Sequence, residues 1–184
     1  MSTVALTDLT GTYTIDPSHT RIGFSARHAM VTKVRGAFNE FSGTARVDGA
    51  DPGLSSVEVK IATASIDTRN EQRDGHLRTG DFLEVEKYPE ITFASTAVEQ
   101  VSDDVFRVTG DLTIKGVTKS VSVDFELQGA AKDPFGNERI GFEGSTSINR
   151  SDFGVTFNAA LETGGVLVSE KINLEFEVSA IKNA

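Results

Sequence analysis

Val121-Ser122-Val123-Asp124-Phe125-Glu126-Leu127-Gln128 alternates apolar and polar side chains without an exception. In an extended chain successive side chains point to opposite faces, so this octapeptide has one dry face and one wet face. The stretch from Lys171 to Val178 repeats the pattern with Ile172, Leu174, Phe176 and Val178 on the dry side. Ser56 to Ile61 does the same with Val57, Val59 and Ile61, and weaker copies run through 21–28, 91–98, 106–114 and 140–148. Turn residues separate these runs: Gly49, Asp51-Pro52-Gly53, Ser102-Asp103-Asp104, Lys115-Gly116 and Asp133-Pro134-Phe135-Gly136-Asn137. Lys115-Gly116 stands between two long alternating runs and predicts a tight hairpin. Eight or nine strands, several of them long, predict an all-β fold. An antiparallel barrel of about eight strands is favoured, with a large sandwich as the other arrangement.

Two places break the alternation. Phe38-Asn39-Glu40-Phe41 spaces its aromatics by three, which in one flat strand would put them on opposite faces, so a bulge or bend is expected. Residues 70–83 lack both alternation and a β-branched run. Thr68 or Asn70 can cap a helix there, Glu71 and Asp74 suit its N-terminal end, and Arg78 suits its C-terminal end. One or two helical turns across one end of a barrel are predicted.

The 184 residues suit one domain, and 38% hydrophobic with 24% charged residues is ordinary globular composition. The absence of cysteine excludes disulfides, thiolate chemistry and Cys-based zinc sites. A net charge of -9 argues against nucleic acid as a partner. Residues 17–39 are the exception, with Arg21, Arg27, Lys33 and Arg35 and no acid. That segment reads either as a solvated basic strand and turn or as a patch that meets anionic headgroups or a phosphate-tailed ligand. The opening M-S-T-V-A-L-T-D-L-T lacks the features of a secretory signal, and no run is long and apolar enough to span a bilayer, so a cytoplasmic protein is expected.

His19, His28 and His76 lack metal-ligand spacing, and no metal is expected. There is no G-x-S-x-G elbow, and Gly164-Gly165-Val166 matches no phosphate loop. Asp74 and His76 sit two apart on the predicted helix and project in different directions, so they cannot simply form a dyad. They are read as ties between the helix and neighbouring strand ends, and no catalytic residue is assigned. Strand parity instead assembles an interior. Ile22, Phe24, Ala26, His28, Val57, Val59, Ile61, Phe93, Leu112, Ile114, Phe125, Phe142, Ile148, Arg150, Leu174 and Phe176 are the residues expected at a ligand. His28 is read as a hydrogen-bonded core or rim histidine, or as a polar group ending a greasy cavity. A buried Arg150 requires a partner, for which Asp152, Asp74 and a ligand headgroup are the candidates. Small residues of inward parity, Ala26, Ser95, Ala97, Gly110, Gly144 and Thr146, predict unfilled volume. An eight-stranded barrel encloses either side chains alone or one apolar ligand.

Four stretches carry a family resemblance. They are Y-T-I-D-P-S-H-T-R-I-G-F-S-A-R-H at 13–28, G-A-F-N-E-F-S-G at 36–43, S-I-D-T-R-N-E-Q-R-D-G-H-L-R-T-G-D-F at 65–82 with K-Y-P-E-I-T-F at 87–93, and G-D-L-T-I-K-G-V-T-K at 110–119 with I-N-R-S-D-F-G at 148–154. In order and spacing the chain resembles the YceI-like family, with Tyr13 where that family often has Trp. The resemblance covers residues 11–184 and leaves 1–10 as an N-terminal extension. It implies a lipocalin-like antiparallel barrel that binds, stores or transports a polyisoprenoid or related long-chain amphiphile such as an isoprenoid quinone, with no cofactor. It implies a homodimer, an expectation to which Val98 and Val105, read as outward-facing, add support. Arg73, Asp74, His76 and Leu77 become signature positions of structural role. Two other readings stand beside this one: an enzyme acting on a lipid held in the barrel, using His28, Asp74, His76 or Arg150, and a stress-response structural module with an incidental lipid. The expected partners are a long-chain lipid and, transiently, a membrane surface.

Overall fold

The computed structural model describes residues 5–158 and 168–184. Its strands are β1 (Gly11–Ile15), β2 (Arg21–His28), β3 (Thr32–Phe38), β4 (Phe41–Val47), β5 (Ser56–Ala62), β6 (Ile66–Asp67), β7 (Glu90–Gln100), β8 (Val105–Ile114), β9 (Val117–Lys132), β10 (Glu138–Asn149) and β11 (Lys171–Lys182). One helix, α1 (Glu71–Leu77), lies between β6 and β7, and short 3-10 turns cover Leu6–Leu9, Pro52–Leu54, Thr63–Ser65 and Arg150–Phe153. Eight strands close a ring in the order β1-β4-β5-β7-β8-β9-β10-β11, sealed by the pairing of β11 with β1, and every pairing is antiparallel.

β1 and β2 share one edge of β11 end to end. Residues 13–15 pair with 180–182, and residues 21–25 pair with 173–177. The β2–β3 hairpin thus runs on from the ring at one end of the barrel, where β6 pairs with Ala37 and Phe38. β3 stops at Phe38 and β4 starts at Phe41, and the break lets both rings pack against one core cluster, as their spacing predicts. Lys115 (φ 52°) and Gly116 (φ 75°) form the expected two-residue turn, whose backbone matches the twist of the flanking strands. Asn70 caps α1, its Oδ1 accepting from the Arg73 N–H at 3.0 Å.

Two bulges alter the parity that alternation alone predicts. Across β7 and β8 the register passes from Ser95–Gly110 to Ala97–Thr109, so Thr96 is an extra residue. Beyond it the faces exchange: Ala97 is exposed, and Val98 points into the barrel rather than outward as expected. A second shift, between Gly141 and Phe142 of β10, leaves Gln128 of β9 as the extra residue. Gly110 and Gly144 are not the empty volume that parity suggested, and Gly36 behaves as they do. A Cβ at Gly36 would meet the Phe24 ring at 2.5 Å, one at Gly110 the Phe93 ring at 2.5 Å, and one at Gly144 the Phe125 ring at 2.7 Å. At each glycine a neighbouring strand's aromatic ring occupies the space a side chain would need, so the pair acts as one packed unit.

One end of the barrel is plugged. Leu9, Tyr13, Ile140 and Ala180 form a buried cluster with Leu6 packed against it, and the Tyr13 hydroxyl donates to the Leu9 carbonyl at 2.7 Å. Gly49 permits this closure, because a Cβ there would sit 1.7 Å from the Leu6 carbonyl oxygen. Arg139 ties the adjoining turns, its Nη1 and Nε reaching Asp16 and Asp133 at 2.7 Å each. The Arg139 guanidinium is the main cause holding both carboxyls low: Asp16 lies well below the carboxylate range, and Asp133 is lowered to about 2. In the unfolded chain both would take up protons near pH ~4. Their stabilisation is therefore complete above that pH and is lost as pH falls through the folded values. Urea unfolding of wild type should show stability falling between about pH 4 and 2, and Arg139→Gln should flatten that slope while lowering stability at neutral pH. Parallel slopes would show that the pair does not govern acid sensitivity.

Candidate functional site: a cavity along the barrel axis

The barrel encloses a cavity of about 860 Å³. All sixteen positions expected at a ligand line it: Ile22, Phe24, Ala26, His28, Val57, Val59, Ile61, Phe93, Leu112, Ile114, Phe125, Phe142, Ile148, Arg150, Leu174 and Phe176. Among the small residues, Ala26 and Thr146 face it as well. Phe24, Phe93, Phe125, Phe142 and Phe176 are only half-buried although they belong to the inward face. Their outer sides are covered by the sheet, so the area left accessible faces the interior. Phe125 and Phe176 approach at 5.9 Å between centroids, Phe24 and Phe38 at 5.6 Å, and Phe106 and Phe142 at 6.4 Å, giving the wall fixed aromatic pairs.

Sequence parity missed part of the lining. Val98 was hidden by the Thr96 bulge. Phe153, Val155 and Phe157 lie in non-strand segments, where no period marks a buried face. Leu6 and Leu9 come from the turn that closes the plugged end.

The opposite end carries the polar groups. His28, Asn70, Gln72 and His76 are exposed and line the cavity, which marks a mouth between the β2–β3 hairpin and α1. His28 is therefore a rim residue rather than a core one. Asp74 is buried and accepts from the Thr68 N–H at 2.9 Å and from the Thr68 hydroxyl. Arg73 completes this clasp, its Nε donating to the Thr68 hydroxyl and its Nη2 to the Thr68 carbonyl, both at 2.7 Å. Arg78 donates to the carbonyls of Ala64 and Ile66. His76 faces Asp81 instead of Asp74, at 2.9 Å, and its ring stands edge-on to Phe82 and Phe157. Leu77 lines the cavity beneath. The signature stretch is thus a fastening for the helix, and Asp74 and His76 form no proton-transfer pair.

Arg150 corrects an expectation. It is 5% exposed, yet neither Asp74 nor Asp152 is its partner. Its guanidinium donates to backbone carbonyls of Ser169 (2.9 Å), Val155 (2.8 Å), Phe157 (2.9 Å) and Val168 (3.4 Å). Asp152 is exposed. Burial pushes the Arg150 guanidinium below its ordinary value, with nearby Glu170 opposing the shift. Five donors in a rigid fork allow one side chain to hold two chain segments together, which an ammonium group could not do.

Elsewhere, Asp16, Ser18 and His19 meet, but the serine hydroxyl (3.1 Å) and the carboxylate (2.7 Å) both converge on Nδ1 of His19. A relay needs them on opposite ring nitrogens, so this is a turn and not a nucleophile with its base. Among the described residues no group of three acidic or histidine side chains could hold a metal ion. Gly164-Gly165-Val166 lies outside the described residues.

The comparisons agree with this geometry. The profile of the YceI-like domain matches residues 13–180. UPF0312 protein SAS2572 of Staphylococcus aureus is 38% identical over 169 residues, covering 91% of this chain and 95% of its own length. The Campylobacter jejuni YCEI protein superposes with a TM-score of 0.74 at 35% identity, covering 86% of this chain and 90% of that one. A polyisoprenoid binding domain from Saccharophagus degradans, implicated in plant cell wall breakdown, superposes with a TM-score of 0.71 at 16% identity, covering 93% of this chain and 98% of that one, and shows the shared fold. Since the matched residues include both the strands that build the cavity and the helix that closes it, the chain belongs to the YceI-like domain family.

Proposed function

We propose that the protein binds a polyisoprenoid or similar long-chain amphiphile in the barrel, as a carrier or reservoir. The observation that carries this reading is the set of half-buried aromatic residues turned toward an enclosed apolar space. Such a space forfeits packing when empty and is a poor host for water, which needs polar partners. The similarity in fold to a polyisoprenoid binding domain supports the same ligand class.

Size is consistent. A water occupies roughly 30 Å³ of liquid, and a methylene about as much, so the cavity admits on the order of 30 carbons. Burial at ~0.8 kcal/mol per methylene gives a gross gain of roughly 24 kcal/mol. Affinities saturate near ~18–21 kcal/mol, so the cost of ordering a flexible chain absorbs the excess. The ligand should leave slowly and survive purification. Pairing of two copies belongs to this reading chiefly on family resemblance, because Val98 faces inward and only Val105 keeps the outward place expected of it.

Organic extraction of natively purified protein followed by mass spectrometry tests the proposal. One abundant prenyl lipid at near-stoichiometric level is expected, and an empty cavity or a random fatty-acid mixture would sink it. The same assay addresses the enzyme reading. Asp74→Asn should destabilise by ~1–3 kcal/mol, because an amide nitrogen would face the donors at Thr68. With His76→Gln it should leave the identity of the bound lipid unchanged. An altered lipid in a folded Asp74→Asn variant would instead favour catalysis.

A further inference from the structure

We propose that the tip of the β2–β3 hairpin docks on an anionic lipid bilayer, inserting Met30 and Val31 beside the mouth of the cavity. Met30 is 62% exposed and Val31 77% exposed, adjacent to each other at the tip. Ala29 (φ 51°) and Met30 (φ 64°) both hold left-handed backbone, which glycine or asparagine would adopt at less cost. Arg69, Glu84 and Lys115 hold the same left-handed backbone with polar side chains, so an apolar tip is not what the conformation demands. Strain kept at an exposed apolar site points to a use for that site.

The surrounding charge selects the partner. Arg27 pairs with Lys33 and Ser25 with Arg35 across the hairpin, so the three basic side chains share the face opposite Ala26 and Val34. All three are exposed, and none forms an ion pair with a described residue. No acidic residue occurs from Pro17 to Asn39, in a chain whose net charge is -9. A basic collar behind an apolar tip matches an interface of anionic headgroups over acyl chains. The other strongly exposed apolar residues, Leu54 and Phe135, stand singly on separate turns at the plugged end, away from the mouth. The hairpin flanks the mouth: Ala26, His28 and Val34 all line the cavity. It is braced by a bridge from His28 to Val168 and by the Ser169 N–H donating to the Arg27 carbonyl. Docking there would bring the opening against the membrane. That purpose rests on the lipid-carrier reading, whereas the docking itself does not.

Flotation with vesicles of phosphatidylcholine alone, or with 30% phosphatidylglycerol, at low and high salt tests the proposal. Wild type should bind the anionic vesicles and release as salt rises. Lys33→Gln with Arg35→Gln should weaken partition by about 30-fold, at roughly a fivefold loss per neutralised base. Met30→Ser with Val31→Ser should weaken it by about tenfold. Equal binding to neutral vesicles, or an undiminished partition in both double variants, overturns the proposal. Bound lipid measured in the same preparations separates the two readings. Folded hairpin variants that keep their lipid but lose vesicle binding support docking at the tip. A wild type that floats yet contains no lipid keeps the docking and removes the carrier. A loaded wild type that ignores vesicles does the reverse.

Discussion

Arg150→Met lowers stability by about 3 kcal/mol and loosens the α1 end of the barrel, as the expected result of leaving carbonyls that share one guanidinium without it. The Val155 carbonyl is buried with Arg150, and the remaining three are partly covered. A buried acceptor left unpaired costs ~1–3 kcal/mol, and the partly covered ones recover some of their loss from water. Methionine preserves the aliphatic stem, so little packing is lost and the effect reports on the hydrogen bonds. Arg150→Lys should recover only a small part, because one ammonium cannot serve carbonyls on both 155–157 and 168–169. Urea unfolding gives the magnitude. Amide exchange should locate the loss in the backbone at 150–157, with the far end of the barrel unaffected. If Arg150 instead served a ligand headgroup, the methionine variant would keep its stability and lose lipid.

The contrast between Arg150 and the strands explains what the sequence discloses. Strand parity is local: two apolar residues on either side of a polar one declare a buried face wherever the chain is extended. The sixteen lining residues were legible for that reason, and so was the helical interruption, whose cap and end charges are also local. Thr96 has no such marker. A bulge depends on how two strands match over their whole length, and one extra residue turned Val98 from the outer face to the cavity. Register also decides which side chain covers a glycine, so Gly110 and Gly144 looked like vacancies although an aromatic ring fills the space beside each. The partners of Arg150 were beyond reach for a third reason. A carboxylate can be searched for in a sequence, but a backbone carbonyl is present at every residue and announces nothing.

Val59→Glu is expected to abolish lipid retention, with a loss of at least ~100-fold in bound ligand, since it places a carboxylate in an apolar wall. Val59 lies in β5 opposite Gly43 and Phe93, and a Cβ at Gly43 would already crowd the Val59 methyl at 3.3 Å. An unpaired charge there costs several kcal/mol, or the group stays protonated with its pKa raised. Ile114→Glu on β8, two strands round the ring, should act in the same direction. The pH dependence gives the argument its sign. Below the raised pKa the side chain is neutral and the wall is merely polar, so lipid retention should partly return on acidification from pH 8 to about 5. Wild type should show no such gain. Glu58→Gln, one residue away on the outward face, changes charge without touching the cavity and should leave retention intact. Circular dichroism must show the strand-rich spectrum of wild type in each variant, because a misfolded barrel would also lose its lipid. A folded Val59→Glu protein that keeps its full complement of lipid at pH 8 would place the ligand somewhere other than the barrel axis.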